Sequence, residues 1–157
     1  MEYAICANEC FRLGEKKGKM LLLSKIKREG FSNYIDVLGK IQNDFFVKEI
    51  PEEDLDFAYR TKYLVDYQGQ TFEILSGIGK RLLKDDVVIL FTDIPAIAKE
   101  YGFRHYDNIS FQKDIHLNEV DRITEIKIPI LRFKGMESTR TIIEKEQILD
   151  YIMNLVE

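Results

Sequence analysis

The sequence predicts an α+β fold in which a mainly antiparallel sheet carries a few packed helices, including a C-terminal amphipathic one. Three observations predict it. Short apolar or alternating runs at 58–67, 71–75 and 87–91 are separated by Gly-containing connections, the pattern of strands and hairpins. Strands and helical segments do not alternate regularly, so a parallel βαβ sheet is not indicated. The last segment, 144–156, places Ile148, Ile152 and Leu155 on one helical stripe.

The length of 157 residues fits one globular domain spanning 1–157. A chain of this size buries roughly 68–70% of its unfolded surface and needs no disulfide or metal staple. Ten Phe and eight Tyr argue against disorder. No composition break, repeat or low-complexity tract divides the chain.

Along the chain, residues 4–13 read as a helix with Gly14 near its end. Residues 19–29 also read as a helix, with Met20, Leu23 and Ile26 or Lys27 on one side and Gly30 as the stop; a strand through 20–26 stays open. Residues 34–38 read as a short strand, and 45–50 as a better one closed by Pro51. The segments 58–67 and 71–75 form a hairpin around Gln68-Gly69-Gln70. Residues 87–91 are an apolar run of buried-strand type. Asp93 and Pro95 open a helix to Tyr101, with Ile94, Ile97, Ala98 and Tyr101 inward and Gly102 as its stop. Residues 108–112 read as a strand, and Asn118 as the cap of a short turn. Residues 123–133 read as extended, with Ile126, Ile128 and Ile130 on one face and Glu125 and Lys127 on the other; Pro129 implies an edge or a bulge.

No motif for chemistry emerges. Gly77-Ile78-Gly79-Lys80 lacks the spacing of a phosphate loop and reads as a turn. His105 and His116 are the only histidines, with Asp107 and Asp114 between them and no metal-ligand spacing. No serine stands in a nucleophile elbow. Cys6 and Cys10 read as small core residues rather than a disulfide. No catalytic, cofactor-binding or metal residue is therefore assigned, and a binding protein is expected rather than an enzyme. The first residues lack a basic stretch followed by a long apolar one, so no signal peptide is expected and the cytoplasm is the expected compartment.

Charge carries the main functional clue. The net charge of −4 speaks against a chain built to grip nucleic acid. Yet residues 12–28 hold seven basic residues against one acid, Glu15. Residues 44–56 hold six acids, Asp44, Glu49, Glu52, Glu53, Asp54 and Asp56, against Lys48 alone. The basic stretch lacks interleaved aromatics for base stacking and reads as a solvated face. A nucleic-acid-associated or phage-derived regulator using residues 12–28 is the alternative reading. The acidic stretch reads as a solvated turn or as a surface for a basic partner.

Two passages resemble small immunity proteins of bacterial polymorphic toxin systems. One is Tyr59 to Leu75. The other runs from Asp93 through Gly102-Phe103, Phe111-Gln112-Lys113 and Leu117-Asn118-Glu119-Val120 to Ile126. The resemblance spans roughly 58–133 and carries over no site residue. It implies a protein without chemistry of its own that occludes a cognate toxin domain, a basic nuclease being the partner an acidic surface suits. Neither a membrane nor nucleic acid is the expected partner.

Overall fold

A computed structural model describes residues 1–157. Strands hold 47% of the residues and helices 18%, so the fold is sheet-dominated rather than an even mixture of sheet and packed helix. The strands are mainly antiparallel, and one of the three α-helices is C-terminal, as the sequence implies. The chain forms two compact units: Met1–Thr61 with Lys127–Thr139 and Val156–Glu157, and Lys62–Ile126 with Arg140–Leu155.

The first unit is a meander. Strands β1 (Glu2–Cys6), β2 (Glu9–Lys16), β3 (Lys19–Ser24), β4 (Ser32–Ile35) and β5 (Ile41–Glu49) lie in the order β4-β5-β3-β2-β1, and the start of β6 (Phe57–Tyr67) follows β1. Every neighbouring pair is antiparallel. The helices expected over 4–13 and 19–29 are not formed; both stretches are strand. The reason lies in two-residue loops. Ala7 and Asn8 have φ of 51° and 63°, and Lys17 and Gly18 have 53° and 74°. Positive φ at both loop positions is what a type I′ hairpin requires, and its twist matches that of the strands it joins. Each loop therefore turns the chain back on itself before a helix can propagate.

Burial agrees with that pairing. Leu13 lies opposite Leu22, and Ala4 opposite both Phe11 and Ala58. These residues form one core with Ile50 and Leu55. Leu21, on the opposite face of β3, is also buried, so the run Met20 to Leu23 is a strand covered on both sides rather than a helical stripe. Gly14, expected to end a helix, sits inside β2. A Cβ there would come within 3.1 Å of the Leu23 side chain, so glycine makes room for that leucine. Between β4 and β5, Asp36 accepts the N–H groups of Leu38 and Lys40 at 2.9 Å each.

In the second unit, the end of β6 is followed by β7 (Gln70–Ile74), β8 (Val88–Thr92), β10 (Phe111–Ile115) and the two-residue β9 (Arg104–His105). The β6–β7 hairpin turns at Gln68 and Gly69, with φ of 48° and 81°, a third loop of the same type. Strand β11 (Arg122–Pro129) pairs with β6 and with β12 (Thr139–Glu144). Pro129 is its last residue, where a missing N–H disrupts least.

Helix α1 is Leu82–Asp85, α2 is Pro95–Tyr101 and α3 is Ile148–Met153. Gly102 closes α2 with φ 71°, and the Phe103 N–H reaches the Ala98 carbonyl at 2.8 Å. The expected cap Asp93 is displaced by one residue: Ile94 occupies the N-cap, its N–H bonded to Thr92 Oγ1 at 3.2 Å, and its side chain is exposed rather than inward. The short turn at Leu117–Glu119 is capped not by Asn118 but by His116, whose N–H donates to Glu119 Oε2 at 2.7 Å. In β11 the expected division of faces holds only in part. Ile126 is buried as expected, but Ile128 is exposed and Glu125, placed on the opposite face, is buried. Ile148 and Ile152 of α3 enter the core with Val65, Leu90 and Ile123, and Leu155 packs against it.

Two outcomes follow. Ile152 is fully buried and Leu149 is 57% exposed. Ile152→Ala should cost about 2–5 kcal/mol by cavity formation; Leu149→Ala should stay within about 0.5 kcal/mol. Urea unfolding of both variants measures the contrast. The Lys40 and Leu38 N–H bonds hold the Asp36 carboxyl below its ordinary value of 3.8. A depressed folded pKa stabilises fully above 3.8 and is lost as pH falls through the lower value. Amide protection at Leu38 and Lys40 should therefore persist down to that range and drop below it.

Candidate functional site

The acidic residues all belong to the first unit, on β5 and on the connection from β5 to β6. The structure separates them by environment. Asp44 lies within β5, five residues before Glu49, which at roughly 3.3 Å per residue puts their backbones about 16 Å apart. Glu49 is neutralised by Lys19 at 2.9 Å. After Pro51, the residues Glu52–Asp54 form a single 3-10 turn. Three residues per turn send successive side chains in directions about 120° apart. One therefore points back to the protein, and that one is Glu52.

Glu52 Oε1 accepts the backbone N–H of Arg132 at 2.6 Å, across 80 residues of sequence. The Arg132 guanidinium donates in return to the carbonyl of Leu55 and stacks over Phe133 at 4.5 Å. Leu55 is buried in the core of the unit. The Asp54 N–H bonds the Pro51 carbonyl at 3.1 Å, and the Asp56 N–H bonds the Ile5 carbonyl at 2.9 Å. The turn is thus pinned from several sides while Glu53, Asp54 and Asp56 stay exposed. None of these three, nor Asp44, makes an ion pair. Sequence reasoning found the acids but not their anchor. Arg132 carries no local signal linking it to Glu52.

The basic stretch lies on β2, β3 and the residues after them. Its charge is partly cancelled in place. Lys19 pairs with Glu49, Lys25 with Glu157 at 3.3 Å, and Arg28 with Glu9. Arg28 also covers Phe11, and Lys16 lies over Tyr34, 4.7 Å from the ring centre. Lys16, Lys17 and Lys19 line one shallow cleft with Tyr34 and Glu49, where Glu49 already pairs with Lys19.

The histidines and cysteines are dispersed. His105 packs on Phe111, with ring centres 4.7 Å apart. The His116 Nδ1 lies 3.1 Å from Asp86 Oδ2, and Asp86 Oδ1 accepts the Leu117 N–H at 2.9 Å. Cys6 and Cys10 are free and lie on paired strands, not on one helical face. Cys10 stands opposite Ile5 and Cys6 opposite Glu9, so their side chains leave opposite faces of the sheet.

Two further features belong to the second unit. A cleft of about 320 Å³ is lined by Leu82, Leu83, Leu117, Ile148 and Leu149, with Asp86 and Lys145 at its rim. Asp86 already serves His116 and Leu117, and Lys145 lies 3.5 Å from Asp121. The cleft therefore offers apolar wall but few convergent polar groups. The other is a polar contact in the interior. Tyr151 donates to Glu125, and its hydroxyl lies 3.0 Å from that of Tyr63. Burial, then the bond to Glu125, pushes the Tyr151 hydroxyl far above its ordinary pKa of 10.0. It stays a neutral donor across the accessible pH range. The phenol ties α3 to β11 and β6.

Tyr151→Phe would remove one hydroxyl from this contact and leave Glu125, 8% exposed, short of a donor. The expected cost is about 1–3 kcal/mol, read by chemical denaturation. Tyr63→Phe, at the outer end of the chain of hydroxyls, should cost less.

The chain belongs to the family described as Uncharacterised conserved protein UCP033725, whose model matches residues 1–131. No curated protein and no solved structure matches it.

Proposed function

We propose that this family member is a non-enzymatic binding protein that neutralises a cognate bacterial toxin by direct contact, acting in the cytoplasm of the cell that makes the toxin. The contact is the acidic turn, and the partner is a basic domain of nuclease type. One observation carries this reading: Glu53, Asp54 and Asp56 are exposed and unpaired on a turn whose backbone is already fixed by Glu52, Arg132 and the Ile5 carbonyl.

Two physical consequences support it. Charges held in place before encounter cost little ordering entropy on binding. Their field also reaches about 8 Å at physiological salt, enough to orient a basic partner during approach. Glu49 and Glu52 contribute differently from the other four. Each is engaged inside its own chain, so Glu52 acts by holding the turn rather than by touching the partner. Asp44 lies apart on β5 and contributes to the general field.

Co-expression with the cognate toxin domain tests the proposal. The native chain should protect cells. Neutralising Glu53, Asp54 and Asp56 together, as Glu53→Gln, Asp54→Asn and Asp56→Asn, should weaken binding by about 10²-fold or more, on the order of 1–2 kcal/mol per charge at a contact. Asp44→Asn should change it little. Full protection by a chain with all six acids neutralised removes this surface from the account.

A further inference from the structure

Three strands have only one neighbour: β4, β9 and β12. An unpaired strand edge presents free N–H and C=O groups and invites a further strand, and natural proteins blunt such edges by shortness, bulges, lysine or proline. Two of the three are blunted. Strand β9 has two residues, and β4 has four, with a register shift between Asn33 and Tyr34. Strand β12, Thr139–Glu144, has six residues and neither lysine nor proline, and its two charged residues, Arg140 and Glu144, are of opposite sign. Its sequence Thr-Arg-Thr-Ile-Ile-Glu is rich in β-branched residues and contains no proline, glycine or lysine.

We propose that the free edge of β12 is a self-association surface, on which a second copy of this chain pairs its own β12 antiparallel about a two-fold axis through Ile142. The sequence of the strand is complementary to itself in that register. Residues equidistant from Ile142 face each other, so Arg140 of one copy meets Glu144 of the other, and the same pair forms again on the far side of the axis. Ile142 meets Ile142, and Thr141 meets Ile143. Ile142 shares a face with Arg140 and Glu144, because side chains alternate along a strand. It is 54% exposed, whereas Ile143 on the other face is buried in the core.

The pairing places an apolar contact between two ion pairs on the exposed face and continues the sheet on the other. It is isologous, as a closed two-fold dimer requires. The Glu144 N–H is already bonded to Gln147 Oε1 at 3.2 Å, so the backbone pairing rests on the groups nearer the axis, from Arg140 to Ile143. A two-fold axis through one residue pair is allowed at both the hydrogen-bonded and the non-hydrogen-bonded positions of an antiparallel ladder. Arg140 is exposed and makes no ion pair within its own chain, so it is available to the second copy. Glu144 already contacts Arg122 at 3.3 Å, which holds the carboxylate at the strand without burying it.

No other strand edge of this chain has comparable self-complementarity. Strand β4, Ser-Asn-Tyr-Ile, carries no charged residue to set a register. A partner of different sequence would need to supply the matching charges, whereas a second copy supplies them by symmetry.

Sedimentation velocity on the full chain, at concentrations up to about 1 mM, tests the proposal in the range where small interfaces associate. The expected result is a concentration-dependent dimer. Ile142→Lys places two ammonium groups at the axis, and Arg140→Glu sets carboxylate against carboxylate at both flanks; each should weaken dimerisation at least about tenfold. Circular dichroism should show both variants folded, since both side chains are exposed. Mixing Arg140→Glu chains with Glu144→Arg chains should restore a dimer through opposite charges. If Glu144→Arg alters the fold through Arg122, the Ile142→Lys result decides alone. A chain that stays monomeric throughout, or a dimer that neither variant weakens, overturns the proposal.

Discussion

Glu52 turns its charge inward onto the N–H of Arg132, and Arg132 answers through the carbonyl of Leu55. These bonds join residues about 80 positions apart in sequence. They convert a run of acids that would repel and sample many conformations into a turn of defined shape. Leu55, buried in the core, anchors the same turn from below. The acids that remain outside inherit that fixed geometry. Their placement depends on the inward one, not on each other.

The first unit reaches this geometry through hairpins. Strands β1, β2 and β3 are joined by loops in which both residues take positive φ, so pairing is local and the register is set by the turns. Strand β5 then pairs with β3, and its far end delivers Pro51 and the acidic turn. The same local hairpin logic recurs at β6 and β7 in the second unit, where the core instead depends on α3 and the buried Glu125–Tyr151–Tyr63 contact. The cleft beside α1 and α3 has apolar walls, and its charged groups are already engaged, Asp86 by His116 and Leu117 and Lys145 by Asp121. A recognition role placed on the outer surface is consistent with that.

What was legible in the sequence depended on how local the signal was. The β6–β7 hairpin, the Pro95–Tyr101 helix with its Gly102 stop, and the Ile148–Ile152 stripe rest on neighbouring residues, and all three were readable. The first third was misread because its periodicity is ambiguous. Met20 to Leu23 satisfies a helical face and a doubly buried strand equally well, and the deciding loops, Ala7-Asn8 and Lys17-Gly18, are weaker hairpin signals than Asn-Gly. Strand β12 went unread because most of it is exposed, so it shows little apolar pattern. The burial of Glu125 in β11 has a similar origin: Tyr151, distant in sequence, supplies it with a donor. The acids of the site were visible as composition. Their division into anchored and free was not, because it depends on Arg132 and Lys19.

Recognition by the acidic turn requires that its shape be set before any partner arrives. Backbone 15N relaxation at Glu53 and Asp54 measures this most directly. Order parameters near about 0.85, equal to those of the neighbouring strands and falling in a Glu52→Ala variant, are the predicted result. Values below about 0.6 in the native chain would mean a flexible acidic loop that the Glu52–Arg132 bonds do not hold.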